Sequence, residues 1–326
     1  MRRREFVSKT AASVLAAAGL GCQSGRSRDR RRTERAGAGM QPVLHHVRPT
    51  ERHWVGDGFH VSTLVSPHRL DPQLISPFLL LDHAAPRRFE PAARRRGVGE
   101  HPHRGFETVT FAYRGEVEHR DSNGGGGLIE PGDVQWMTAA SGVVHEEFQS
   151  QDFTSRGGLF EMVQLWVNLP AARKMSSPRY QPLRDADFPR VPVGDVEARV
   201  IAGGFDRRER GPAQTHSDIN VSDLSVGSGA EARFRFADGT TTLLLVLAGK
   251  VRAQRSVDAS AGELLVLDRR QPGDIELAGV EPARLLVLNG TPLGEPVVAH
   301  GPFVMNTADE VRQAYADYRA GRMGHL

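Results

Sequence analysis

His101-Pro102-His103 and His145-Glu146-Glu147 set two pairs of metal-ligating side chains at a spacing of two residues. Side chains two apart on a β-strand project from the same face, so each pair can reach into one interior. If the two strands are neighbours or face each other, three imidazoles and a carboxylate converge on one point. Such a mixed nitrogen and oxygen shell suits a first-row transition metal. A single His-x-His is often a surface pair or a hydrogen-bonded core pair; the second pair, after the turn-rich Ser141-Gly142-Val143-Val144, carries the argument. The same parity runs from His101 through His103 and Gly105 to Glu107, so either Glu107 or Glu147 could supply the carboxylate. His119 reads as structural or as support for the ligands, while His45, His46 and His83 have no paired spacing. Ten of the thirteen histidines lie at or before residue 145, which assigns a histidine-based site to the first half of the chain.

The elements that must position these residues are strands. Short apolar or alternating runs, such as Pro77 to Asp82, Thr108 to Tyr113, Val134 to Met137 and Met162 to Val167, are separated by turn residues. The 35 glycines and 20 prolines fit many turns and few long helices. Gly124 to Gly127 and Pro131-Gly132-Asp133 read as a hairpin loop and a tight turn. No helix start follows the glycines, which argues against a phosphate cradle. Pro170 to Pro192 is rich in Pro, Ser, Arg and Lys, and a domain boundary is expected near residue 190. A second strand series follows, clearest at Thr241 to Leu247, Glu263 to Leu267 and Ala283 to Leu288. Ala248-Gly249-Lys250-Val251 echoes Arg114-Gly115-Glu116-Val117, and Ala261-Gly262-Glu263 echoes Pro131-Gly132-Asp133, which suggests a duplicated barrel. Val311, Ala314 and Tyr315 predict one C-terminal helix within residues 308–321, capped by Asn306 or Thr307.

The first forty residues carry nine Arg and one Lys against Glu5, Asp29 and Glu34, whereas the formal net charge of the whole chain is only +3. The remaining body is therefore mildly acidic, and no nucleic-acid partner is expected. Residues 1–40 read instead as a targeting segment and basic linker: Arg3-Arg4-Glu5-Phe6 resembles the twin-arginine export signal, and Ala11 to Gly21 is too short and too rich in Ala and Gly for a permanent span. Cys22, the sole cysteine, ends that stretch where a lipoprotein signal places its lipidated residue, although Gly19 stands where such signals usually carry Leu. The expectation is export to the periplasm or cell envelope, with membrane attachment where Cys22 is lipidated. If Met40 is the true start, the protein is cytoplasmic.

Three segments, His101 to Thr108, Pro131 to Ala139 and Gly142 to Glu147, resemble the hallmark segments of the pirin family. The resemblance extends through Gln164 to Leu169, Lys174-Met175, Tyr180-Gln181, Glu295 to Val298 and His300 to Thr307, and covers roughly residues 42 to 324. It implies an all-β protein of two cupin barrels with a short C-terminal helix: a metal-binding cupin over residues 41–190 and a metal-free one over 191–326. It also implies that the metal ligands are His101, His103, His145 and Glu147, with Glu107 beside them rather than among them.

The activity implied by the resemblance is that of a quercetin 2,3-dioxygenase acting on a flavonol-like or enediol substrate and dioxygen. One mononuclear metal is expected, Fe(II) first, with Mn, Ni, Co, Cu or Zn as alternatives. Glu147 would serve both as ligand and as catalytic base for the flavonol 3-hydroxyl. The alternative is a non-catalytic metal or redox sensor that binds a protein partner, and a closed four-ligand shell without a pocket would mark a purely structural ion. The size of a pocket around Phe106 and Trp136 is the feature expected to separate these readings.

Overall fold

The apolar runs pair into two barrels of one plan. The structure, a computed structural model of the chain, describes residues 39–49, 51–205 and 209–326. The twin-arginine motif, Cys22 and the basic stretch from Arg26 to Arg35 lie outside the described residues. Within them, no helix is long and apolar enough to cross a membrane.

In the first barrel a seven-stranded antiparallel sheet runs in the order Arg179–Leu183, Val134–Thr138, Phe106–Arg114, Gly158–Asn168, Phe78–Phe89, Phe59–Val65, His53–Val55. It is completed by a four-stranded sheet ordered Gly97–His103, Val143–Gln149, Val117–Asp121, Gly126–Ile129. The second barrel repeats this plan. Its larger sheet is ordered Val43–Val47, Leu264–Leu267, Thr241–Ala248, Ala283–Gly290, Ile219–Val226, Val196–Ala202, Arg190–Val193, and its smaller one Glu231–Phe234, Ile275–Gly279, Lys250–Ala253, Val257–Ser260. The architecture is thus the two-cupin, all-β fold that the resemblance implies.

Strand alternation explains how the barrels join. On Phe106–Arg114, Val109, Phe111 and Tyr113 enter a core shared with Leu243, Leu245 and Leu247 of the second barrel. Their neighbours Thr110 and Ala112 face the first barrel's interior, as Leu244 and Val246 face the second's. Both larger sheets are therefore covered on both faces, which is why their strands read as nearly continuous apolar runs.

The order of the chain is not the order of the barrels. A division at residue 190 assigns Val43–Val47 to the first barrel, but this strand pairs with Leu264–Leu267 in the sheet of the second. It fills there the edge that Arg179–Leu183 fills in the first. Conversely, the C-terminal helix Ala308–Arg319 packs on the first barrel, with Phe303, Ala314 and Met323 against Val144. The Thr307 hydroxyl accepts from Glu310 N, and the Glu310 side chain accepts in return from Thr307 N, closing a capping box that sets where the helix starts.

Candidate metal centre and its cavity

The strands Gly97–His103 and Val143–Gln149 are direct neighbours, with His145 opposite His101 and Val143 opposite His103. This register brings together the ligand atoms of His101, His103 and His145, all within 4.8 Å of one another. The His101 ring lies 4.2 Å from that of His145 and 4.9 Å from that of His103, centroid to centroid. A register shift between His145 and Glu147 places Glu147 in a second group, with His145 and His119, also within 4.8 Å.

Each imidazole is held by one nitrogen. His101 Nδ1 lies 2.8 Å from Gly99 O, and His103 Nδ1 3.3 Å from Pro302 O. His145 is fully buried, and its Nε2 has no hydrogen-bond partner. An orphaned buried ring nitrogen is costly unless something fills it, so this donor set fits a metal ion. Burial, followed by the neighbouring imidazoles, holds the pKa values of His103 and His145 well below the ordinary histidine value. Both are neutral near pH 7, the form that ligates.

His119 lies in contact with the site but is committed elsewhere. Its Nε2 is 3.3 Å from Asp121 Oδ2 and its Nδ1 is 3.1 Å from Gln135 Nε2. That pattern is satisfied when His119 carries its proton on Nε2 and accepts at Nδ1. His145 Nδ1 lies 3.4 Å from His119 Nδ1, so the relay packs against that side of the His145 ring and leaves His145 Nε2 bare. Tyr180 stacks on His119 at 5.0 Å, and Gly125 permits this, since a Cβ there would lie 2.5 Å from the Tyr180 Cβ. His119, Asp121, Gln135 and Tyr180 thus form an orienting relay, whose one local signal in the sequence is the spacing of two between His119 and Asp121.

Glu107 is not beside the candidate ligands. Gly105, with φ +89°, and its N–H bond to Ala140 O turn the chain between the two strands, so parity does not carry from His103 to Glu107. Glu107 shares a strand face with Val109 and Phe111, and its Oε1 accepts from Thr138 Oγ1 at 2.7 Å. Burial, partly offset by that bond, pushes its pKa up to about 7. The unfolded chain therefore releases this proton at lower pH than the folded one, and stability falls as pH rises through the window from about 4.5 to 7. Glu107→Gln is expected to remove this loss, worth about 3 kcal/mol by pH 8. Urea unfolding of both proteins at pH 5 and pH 8 checks it, and equal pH slopes would count against it.

The cavity at the candidate metal centre measures about 190 Å³ and is lined by His101, His103 and Glu147 with mostly apolar partners, among them Phe59, Val61, Met162 and Trp166. Trp136 does not line it; it is buried in the core between the barrels. Phe106 lies behind the wall, packed on Trp166 at 4.3 Å and on His103 at 5.0 Å. In the second barrel the strands equivalent to the two that carry the candidate ligands place Phe234 opposite Ile275 and Ala232 opposite Leu277. Apolar side chains there fill the space that imidazoles line in the first barrel.

The chain matches the Pirin family over residues 59–167 and the Pirin C-terminal cupin domain over residues 221–324. A Pseudomonas aeruginosa protein whose name carries the words quercetin 2,3-dioxygenase is 52% identical over 285 residues, covering 87% of this chain and 98% of that protein. The crystal structure of a quercetin 2,3-dioxygenase from Acinetobacter baumannii superposes with a TM-score of 0.84 at 46% identity, over 88% of this chain and 99% of that one. An Escherichia coli pirin in complex with nickel(II) shares the fold, with a TM-score of 0.57 at 21% identity over 76% of this chain and 99% of that one. Two family domains in sequence, a shared two-barrel plan and a histidine cluster in the first barrel lead to one conclusion: this chain belongs to the pirin family of double-cupin proteins.

Proposed function

We propose that the protein is a metal-dependent oxygenase of the quercetin 2,3-dioxygenase type, with Fe(II) as its metal and a flavonol-like or enediol compound as its substrate. The observation that carries this reading is the bare Nε2 of buried His145, set among His101, His103 and Glu147 at the edge of an apolar cavity. Those four residues would hold the metal. When bound, it would supply Lewis acidity toward a chelating oxygen and redox chemistry with dioxygen.

The chain's own residues contribute the rest. The single Thr110 hydroxyl proton lies between two acceptors, Gln164 Oε1 at 2.7 Å and Glu147 Oε1 at 3.1 Å, so the carboxylate is only loosely restrained and stays on the cavity wall. From there Glu147 acts as the base for the hydroxyl proton of the substrate. Phe59, Val61, Met162 and Trp166 exclude water, and the aromatic rings of Phe59 and Trp166 offer flat surfaces to a planar ring. At about 190 Å³ the cavity falls below the ~300 Å³ at which pockets begin to enclose a whole drug-sized ligand. A compact enediol, or the chelating ring of a flavonol with its remaining ring at the mouth, matches that space.

The same small volume supports a second reading, a metal or redox sensor that binds a protein partner and turns nothing over. Anaerobically purified protein assayed for metal and for quercetin turnover separates the two. The expected result is near one iron per chain, with dioxygen-dependent turnover that His101→Ala and Glu147→Ala each reduce at least ~100-fold. Stoichiometric metal without turnover of any flavonol would favour the sensor. We further propose export of the folded, metal-loaded protein through the Arg3-Arg4 segment. Copper or zinc in place of iron in natively exported protein would count against that route.

A further inference from the structure

One row of polar side chains crosses the larger sheet of the first barrel, and two of its members, Asp82 and Gln164, line a cavity that is apolar apart from them and the candidate metal ligands. In register from strand to strand, Thr63 lies opposite Asp82, Asp82 opposite Gln164, Gln164 opposite Thr110, and Thr110 opposite Gln135. Thr63 Oγ1 donates to Asp82 Oδ1 at 2.5 Å, and Thr110 Oγ1 donates to Gln164 Oε1 at 2.7 Å. The row thus divides into two bonded pairs, with a gap between Asp82 and Gln164. Both of these residues line the cavity, and no hydrogen bond among the described residues uses Asp82 Oδ2 or Gln164 Nε2. One wall therefore offers an acceptor and a donor side by side, each anchored through its other atom. Polar groups walled in by Val61, Leu80 and Met162 carry a desolvation cost that a complementary ligand group relieves.

We infer that Asp82 and Gln164 form a second recognition point for the substrate, binding a hydroxyl that is not part of the metal-chelating pair. That hydroxyl donates to Asp82 Oδ2 and accepts from Gln164 Nε2, which are the two roles a hydroxyl fills at once. The inference rests on the oxygenase reading and narrows its substrate to chelating enolones that carry at least one further hydroxyl. Burial raises the pKa of Asp82 above the ordinary carboxylate value, with the Thr63 bond and the nearby His53 opposing, so these two groups do not offset the desolvation of its carboxyl. A wall made only for packing would need no such pair, because an apolar residue at either position would cost less.

The test is direct binding to metal-loaded protein, followed by calorimetry, of two flavonols that share the chelating 3-hydroxyl and 4-carbonyl. One is 3-hydroxyflavone, which has no other hydroxyl; the other is galangin, which has two more on its fused ring. Wild type is expected to prefer galangin by about tenfold or more, the range for a hydrogen bond to a charged or buried group. Asp82→Ala and Gln164→Met are each expected to reduce that preference to within about twofold while leaving 3-hydroxyflavone binding intact. Unchanged 3-hydroxyflavone affinity shows that a variant is folded and loaded, and Gln164→Met keeps the test decisive if Asp82→Ala does not fold. Equal affinity for both flavonols in wild type, or a preference that survives both substitutions, overturns the recognition point and leaves the oxygenase reading standing. Failure of wild type to bind either flavonol overturns both.

Discussion

His145→Ala is expected to abolish stoichiometric metal loading, lowering affinity on the order of a thousandfold, whereas His119→Ala is expected to lower it only about 10- to 100-fold. The two rings are neighbours, with centroids 5.1 Å apart, and both are buried, so proximity alone does not separate them. What separates them is occupancy of their nitrogens. Asp121 and Gln135 take both nitrogens of His119, while His145 keeps Nε2 bare. Losing His145 would remove a nitrogen of the proposed metal shell. Losing His119 frees the His145 ring to turn, which weakens the site without emptying it. Titrating the metal-free chain and both variants with Fe(II), Ni(II) and Co(II) under anaerobic conditions measures the two losses. Equal losses would assign His119 to the shell and replace the His101, His103 and His145 grouping with the one built on His119, His145 and Glu147.

The centre's two strand pairs were legible because period-two spacing is local: His101 with His103, and His145 with Glu147, need only an extended backbone. Glu107 shows where that logic ends. Parity survives along a strand but not through the Gly105 turn, where a left-handed residue rotates the following strand onto its other face. Trp136 was misplaced at the pocket for a similar reason, since its strand is buried on both faces and the sequence does not say which side meets the cavity. The polar row from Thr63 to Gln135 was invisible because its five members come from five strands spread over a hundred residues. The available signal was the lone Asp82 ending Phe78-Leu79-Leu80-Leu81 and the lone Gln164 inside Met162-Val163-Gln164-Leu165-Trp166. A polar residue within a doubly buried strand has to be answered by something inside the protein.

Removal of residues 1–50 is expected to destabilise the protein by on the order of 5 kcal/mol, and to damage the barrel that carries no candidate metal ligands. Val43–Val47 closes the edge of the second barrel through pairs from Val43 with Leu267 to Val47 with Leu264. Around it Gln41 N donates to Asp274 O at 3.0 Å, Asp268 N donates to Pro42 O at 2.8 Å, and Gln254 Nε2 donates to Gln41 O. His46 Nε2 lies 2.8 Å from Glu263 Oε2. Several backbone hydrogen bonds at about 1 kcal/mol each, together with the burial of Val43 and Val47, account for the expected magnitude. The stripped edge of Leu264–Leu267, a run of four buried apolar residues, would then be open to pairing with another chain. The measurement is urea unfolding and size-exclusion chromatography of chains starting at residue 39 and at residue 51. The longer chain should unfold in one transition, because the core between the barrels is common to both, and the shorter one should aggregate or unfold at markedly lower urea. Equal midpoints would mean that the strand only decorates the edge. In that case the second barrel would be complete from residue 190 onward, and the division read from chain order would hold after all.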